Sequence, residues 1–219
     1  MLDLSLNLPG DRQPLVLCIG AHCDDIEIGC GGTLLSLSQS RADTRFVWAI
    51  FTGDQSRQDE ARKSAQSLFP GDVPVELRLN EFPDGRLPYV GAPVKDAMEK
   101  LKAEVEPDLI FSHWGGDRHQ DHRFLSELTW NTFRDHLILE YEIPKYDGDF
   151  GSPNLFVGLE ADIREQKIAH ILRSYPSQSS REWFDQETFT AVLRLRGMEC
   201  RAASGYAEAF YARKLPIQP

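Results

Sequence analysis

The 219 residues are enough for one α/β domain with a sizeable core, and no Gly/Ser/Pro-rich stretch is dense enough to mark a linker, so a single domain over residues 1–219 is expected. With 34 Asp and Glu against 24 Lys and Arg, the net charge of -10 disfavours a nucleic-acid backbone or an anionic membrane surface as the main partner. The most apolar run, residues 46–51, falls far short of the ~20 residues a spanning helix needs.

In chain order, the first ten residues have no basic segment and carry Asp3 and Asn7 among their apolar positions, a poor secretory signal. Residues 15–19 (LVLCI) are apolar, too short for a stable helix and bounded by Gly20, so they read as a buried strand. His22, Asp24, Asp25 and Glu27 then follow within six positions, ahead of Gly29, Gly31 and Gly32. A helix is expected from residues 33–39 and a second strand at 45–52, rich in β-branched and aromatic side chains. The pattern at 56–69 is helical, with Ser56 as N-cap and Pro70-Gly71 as stop.

A third strand is expected at 73–79, turn chemistry at 82–86 (FPDGR), and an amphipathic helix at 93–105 ahead of Pro107. The fourth strand, 108–112, runs into a second polar loop, 113–122, followed by a helix at 123–136 and a fifth strand at 137–143. An irregular segment at 144–153 precedes a short strand at 155–157, and helices are expected at 162–172 and 182–195, separated by residues 175–178. Strand and helix alternate, which points to a mostly parallel sheet with helices on both faces and a site at the carboxyl ends of the strands. The four cysteines, Cys18, Cys23, Cys30 and Cys200, form no disulfide-scaffold pattern, as expected of a reduced, cytoplasmic protein.

Both polar loops follow strand ends, so in a parallel sheet they emerge on one edge. Three crowded carboxylates need a compensating charge, and a divalent cation supplies it. His22 and Asp25, three apart, can turn toward one point, while Asp24 faces elsewhere. With His122 from the second loop they make the donor set of a catalytic zinc site, three protein ligands and one open position.

AHCDDIEIGCGGTL resembles the AHPDD(x)E...GGT signature, and His119-Gln120-Asp121-His122 the HPDH signature, of the PIG-L or LmbE-like zinc deacetylases that act on N-acetylglucosaminyl substrates. Residues 57–61 look like the family's Arg-x-x-Glu helix, and Ser177-Gln178 like its late SQ element. The resemblance implies a Rossmann-like three-layer αβα sandwich holding one Zn2+ per chain, or another divalent metal. It implies His22, Asp25 and His122 as ligands, Asp24 as general base, and a protonated His119 stabilising the oxyanion. Asp121 would orient a neighbouring histidine, keeping His119 charged. The implied substrate is an N-acetylated sugar or glycoconjugate; an oligomer of this chain is left open.

Three positions depart from that pattern. Cys23 replaces a proline and brings a thiol beside the ligands, Ile26 is inserted before Glu27, and Gln120 replaces the proline of the second motif. Arg57 is a candidate for binding a phosphate or sugar group, or else a helix-surface partner of Glu60. His113 is read as a core histidine or a pocket-lining one, His136 and His170 are given no role, and Trp114, Trp130 and Trp183 could stack on a sugar or fill the core. Competing functions are an amidohydrolase on a non-sugar or non-acetyl amide, a structural metal site, and a nucleotide-binding module. The last lacks the G-x-G-x-x-G spacing and would set Asp24, Asp25 and Glu27 against a pyrophosphate.

Overall fold

Residues 15–20 offer no polar face to water, and they form the central strand β1, Leu15–Gly20, buried at every position. In a computed structural model describing residues 4–71 and 73–215, β1 lies in a seven-stranded sheet. Its other strands are β2 (Arg45–Thr52), β3 (Val75–Phe82), β4 (Leu109–His113), β5 (Ile138–Tyr141), β6 (Leu155–Gly158) and β7 (Ala207–Ala212), in the order β3-β2-β1-β4-β5-β7-β6. The first five run parallel; β7 pairs antiparallel with both β5 and β6.

Among the described residues six α-helices cover the sheet: α1 (Asp25–Ser40), α2 (Gln55–Ser67), α3 (Gly91–Glu104), α4 (Gln120–Thr132), α5 (Ala161–Ser174) and α6 (Gln186–Cys200). Alternation along β1 builds the two cores. Val16 and Cys18 join side chains of α1, α2, α5 and α6, while Leu15, Leu17 and Ile19 join Val94 and Met98 of α3 and Leu125 and Leu128 of α4. Full burial of a side chain such as Leu17 or Ile19 contributes about 1.5–3 kcal/mol. The chain leaves β1 toward β2 on one side, and β4 lies on the other, so the strand order reverses between β1 and β4. At such a point connections diverge and leave a crevice above the carboxyl ends of the strands.

Two elements differ from expectation in ways that matter. Helix α1 begins at Asp25, eight residues earlier than the pattern at 33–39 suggests, so Glu27, Gly29, Gly31 and Gly32 are helical and buried. Gly29 and Gly32 are there because neighbours come close: a Cβ on Gly29 would lie 2.2 Å from the Tyr141 ring, and one on Gly32 2.6 Å from Leu159. Strand β7 was not expected at all. Its sequence, AEAFYA, has weak strand character, and its buried Glu208 accepts hydrogen bonds from the Gly32 and Thr33 N–H groups at 2.8 and 2.7 Å. Elsewhere the boundaries shift by a few residues; β3 runs on to Phe82, and α4 opens at Gln120 rather than 123. Residues 1–3, including Asp3 of the leader reading, lie outside the described residues. Among the described residues no helix is long and apolar enough to cross a membrane.

Candidate metal centre and active-site cleft

The loop after β1 turns sharply because the Asp25 side chain folds back, its Oδ2 accepting the His22 N–H at 2.7 Å. Asp25 then opens α1, where a negative charge meets the positive end of the helix dipole. Asp24, the N-cap, makes no side-chain cap bond. Its carboxylate turns instead to Arg57 of α2, with Oδ1 2.7 Å from Nη2.

The loop after β4 delivers the second half. His119 caps α4, its Nδ1 accepting the Asp121 N–H at 3.3 Å, and His122 sits in the first turn. The result is a close meeting of the two loops: His22 Nδ1 is 3.1 Å from His122 Nε2, His22 Nδ1 is 3.3 Å from Asp25 Oδ2, and His122 Nε2 is 3.6 Å from Asp25 Oδ1. The edges of a tetrahedron built on ~2 Å zinc–ligand bonds are about 3.3 Å, so the spacing suits one such ion.

Donor chemistry gives an independent test. The His122 Nδ1–H donates to Asp117 Oδ2 at 2.9 Å, and His22 Nε2 faces Asp84 Oδ1 at 3.0 Å and Asp121 Oδ2 at 3.7 Å. With the outer nitrogens engaged by carboxylates, the inner pair direct lone pairs at one another, and a cation between them removes the repulsion. The surrounding carboxylates likewise favour a proton on His22. Burial alone would lower its pKa, but Asp25, Asp121 and Asp84 raise it well above the ordinary value. His122 is driven the other way, to about 3, by burial and by His113. Asp25 is buried too, yet His122, His113 and His22 hold it well below the usual carboxylate range. These residues fall in overlapping ligand sets, His22–His119–His122, Asp25–His113–His122 and His22–Asp84–Asp121.

All seven side chains singled out from the sequence gather at this edge, but Asp121 and His119 make contacts other than those expected, and Arg57 adds two partners to the Glu60 pairing that was one of its expected readings. Asp121 does not pair with His119. Its oxygens accept the Gly85 and Leu87 N–H groups at 2.7 and 3.0 Å, and the histidine it faces is His22. His119 accordingly lacks the expected carboxylate, and burial together with the charge of His22 lowers its pKa. Arg57 has protein partners on both terminal nitrogens: Asp24 on Nη2, and Ser177 Oγ at 2.7 Å and Glu60 at 3.3 Å on Nη1. The Ser177 N–H and hydroxyl donate to Glu60 at 2.9 and 2.7 Å, so the two weaker motifs are one hydrogen-bonded cluster beside Asp24.

Burial pushes the Asp24 carboxyl above its ordinary pKa, against the pull of Arg57. Cys23 stays outside the ligand set. Its thiol packs on the Thr52 carbonyl at 3.6 Å, and burial pushes its pKa up to about 12. His113 is buried and also belongs to the site, stacked on His122 at 4.0 Å with Nε2 3.1 Å from Asp25. Sequence reasoning missed Asp117, Asp84 and Lys145. Asp117 could have been noticed, five residues before His122; Lys145 Nζ lies 3.0 Å from it. Asp84 comes from a turn with no signal beyond loop chemistry.

Above these groups opens a cleft of about 930 Å³, with His22, Asp24, Asp25, His119 and His122 among its lining and Trp183 and Tyr146 on its walls. Of the other tryptophans, Trp114 stacks on Tyr211 and Trp130 lies under Arg213, both away from the cleft.

Residues 17–133 match the family model described as PIG-L, GlcNAc-PI de-N-acetylase. An Escherichia coli K12 protein described as the uncharacterized deacetylase YaiS is 27% identical over 186 residues, 78% of this chain and 96% of that protein. Diacetylchitobiose deacetylase of Thermococcus kodakarensis is 29% identical over 138 residues, 56% of this chain and 50% of the relative. Among solved structures, N,N'-diacetylchitobiose deacetylase from Pyrococcus horikoshii aligns with a TM-score of 0.70 at 24% identity, covering 90% of this chain and 83% of that one. The fold also serves other chemistry: the 4-carboxy-2-hydroxymuconate hydratase GalB of Pseudomonas putida aligns at 0.72 with 16% identity, over 94% and 99% of the two chains.

Proposed function

This chain belongs to the PIG-L (GlcNAc-PI de-N-acetylase) family, and from that premise we propose that it is a metal-dependent N-deacetylase, one domain over residues 1–219, that hydrolyses the acetamide of an N-acetylglucosamine-type sugar or glycoconjugate to free amine and acetate. The observation that carries this reading is the pair of imidazole nitrogens, His22 Nδ1 and His122 Nε2, facing each other at 3.1 Å beside Asp25, with Asp24 turned away from them toward the cleft and Arg57. His22, Asp25 and His122 would hold one Zn2+, another divalent ion being able to take its place. When bound, such an ion supplies Lewis acidity, polarising a carbonyl and acidifying water at neutral pH.

The chain's own groups do the rest. Asp24 takes a proton from the attacking water, and Arg57 keeps its carboxylate oriented. His119 accepts at Nδ1 from the helix, so its neutral ring carries the proton on Nε2 and donates toward the developing oxyanion. Asp24 then returns its proton to the nitrogen as the C–N bond breaks, so that amide and water become amine and acetate. Asp121 and Asp84 orient His22 as Asp117 orients His122. All four cysteines are free, which supports the cytoplasm as the compartment.

The reading is tested by measuring acetate release from a panel of N-acetylated sugars, glycoconjugates and non-sugar acetamides, with and without a chelator. Release from sugars that stops on chelation and returns with Zn2+ supports it; turnover confined to non-sugar amides, or indifferent to chelation, contradicts it.

A further inference from the structure

The charge of the cleft is lopsided. Among the described residues six carboxylates line it against three cationic side chains, and two of those cations are already engaged. Arg57 is held by Asp24 and Glu60, and Lys145 Nζ by Asp117 at 3.0 Å and Asp149 at 2.7 Å. At the floor a divalent ion offsets Asp25 and one charge more. Among the described residues the mouth keeps Asp54, Glu81 and Asp147, besides the Asp84 held by His22 Nε2 at 3.0 Å, against Arg181 alone. Among the described residues neither Glu81 nor Asp147 enters an ion pair, and both are exposed to an incoming ligand.

Low-dielectric walls focus such a field, and the whole chain, at -10, adds to it rather than opposing it. A phosphate or nucleotide attached to the sugar would have to pass these carboxylates with one arginine to receive it. A neutral glycan meets no such barrier, and an ammonium is drawn in. The apolar ring faces of a sugar have Trp183 and Tyr146 to lie against.

Resting on the deacetylase reading above, we propose that the substrate is an uncharged or amine-bearing N-acetylhexosamine glycan, including one already partly de-N-acetylated, and that Glu81 and Asp147 select against phosphate-linked sugars. The acetate released is itself an anion, and the same field drives it out.

Calorimetric binding to the metal-loaded protein, at low and high salt, compares three ligands: a glucosamine disaccharide with both amines free, the neutral N-acetylglucosamine disaccharide, and N-acetylglucosamine 1-phosphate. The expected order is amine at least as tight as neutral, and neutral about tenfold or more tighter than phosphate at low salt. High salt, or the double substitution Glu81→Gln with Asp147→Asn, narrows that gap. Phosphate binding equal to the neutral sugar at low salt overturns the proposal. So does phosphate binding that collapses in Arg181→Gln, or failure of both disaccharides to bind. Acetate release is scored separately on the two acetylated ligands. The predicted binding order without any acetate release sinks the deacetylase reading and leaves the charge selection standing; acetate release with no discrimination against phosphate does the reverse.

Discussion

Arg57 Nη2 lies 2.7 Å from Asp24 Oδ1, and the same guanidinium reaches Ser177 and Glu60 with its other nitrogen. The arginine therefore serves the carboxylate proposed as the base, and ties it to the segment carrying Ser177. Replacing Arg57 by Met should lower kcat by about 10–100-fold, the worth of one charge-assisted hydrogen bond, with a smaller change in KM. Arg57→Lys should recover part of the loss. A rise in KM at constant kcat would instead make Arg57 a substrate-binding group.

Asp117 accepts from His122 Nδ1 at 2.9 Å, and that bond, with Lys145 nearby, keeps the carboxylate charged despite its burial. Asp117→Ala should weaken divalent-metal affinity by about 10–100-fold in competition with a chelator. Unchanged affinity would show that the ring of His122 is held by packing alone.

His170, which does not line the cleft, bonds Ser64 Oγ at 2.7 Å, and burial and Arg173 lower its pKa to about 4 from 6.5. The unfolded chain thus binds the extra proton first as pH falls, so stability is complete above about pH 6.5 and is lost progressively toward pH 4. The full effect is roughly 3 kcal/mol. Melting temperatures should fall across that window and fall less in His170→Asn; parallel pH profiles for the two proteins would refute the assignment.

Gly29 leaves no room for a methyl group against Tyr141, whose hydroxyl donates to the Ile19 carbonyl at 2.6 Å beside His113. Gly29→Ala should cost about 1–3 kcal/mol in urea denaturation. An unchanged midpoint would mean that α1 shifts at no cost.

What the sequence made legible follows from which forces act locally. Strands β1 and β2 were plain because both faces are buried, at every position but Arg45. The first half of α1 was hidden because glycines and carboxylates read as loop, and what makes them helical lies elsewhere in the chain, in Tyr141 and Leu159 pressed against the backbone. Strand β7 was hidden for a like reason, since its buried Glu208 is satisfied by N–H groups of α1. In the site, the side chains that gather on His22 and His122 were readable from two motifs. Of their carboxylate partners only Asp121 was, as a residue that orients a neighbouring histidine, here His22: Asp84 comes from a turn and Asp117 from the loop ahead of α4, contacts that only the folded loops create.

The proposed hydrolysis requires a carboxylate that moves protons without holding the metal. Its most direct test is Asp24→Asn, stripped of metal, reloaded with Zn2+, and assayed for both bound metal and acetate release. One equivalent of zinc retained with hydrolysis reduced by about 10²–10⁴-fold is the predicted result. Hydrolysis at the original rate, or a protein that no longer holds the ion, would contradict it.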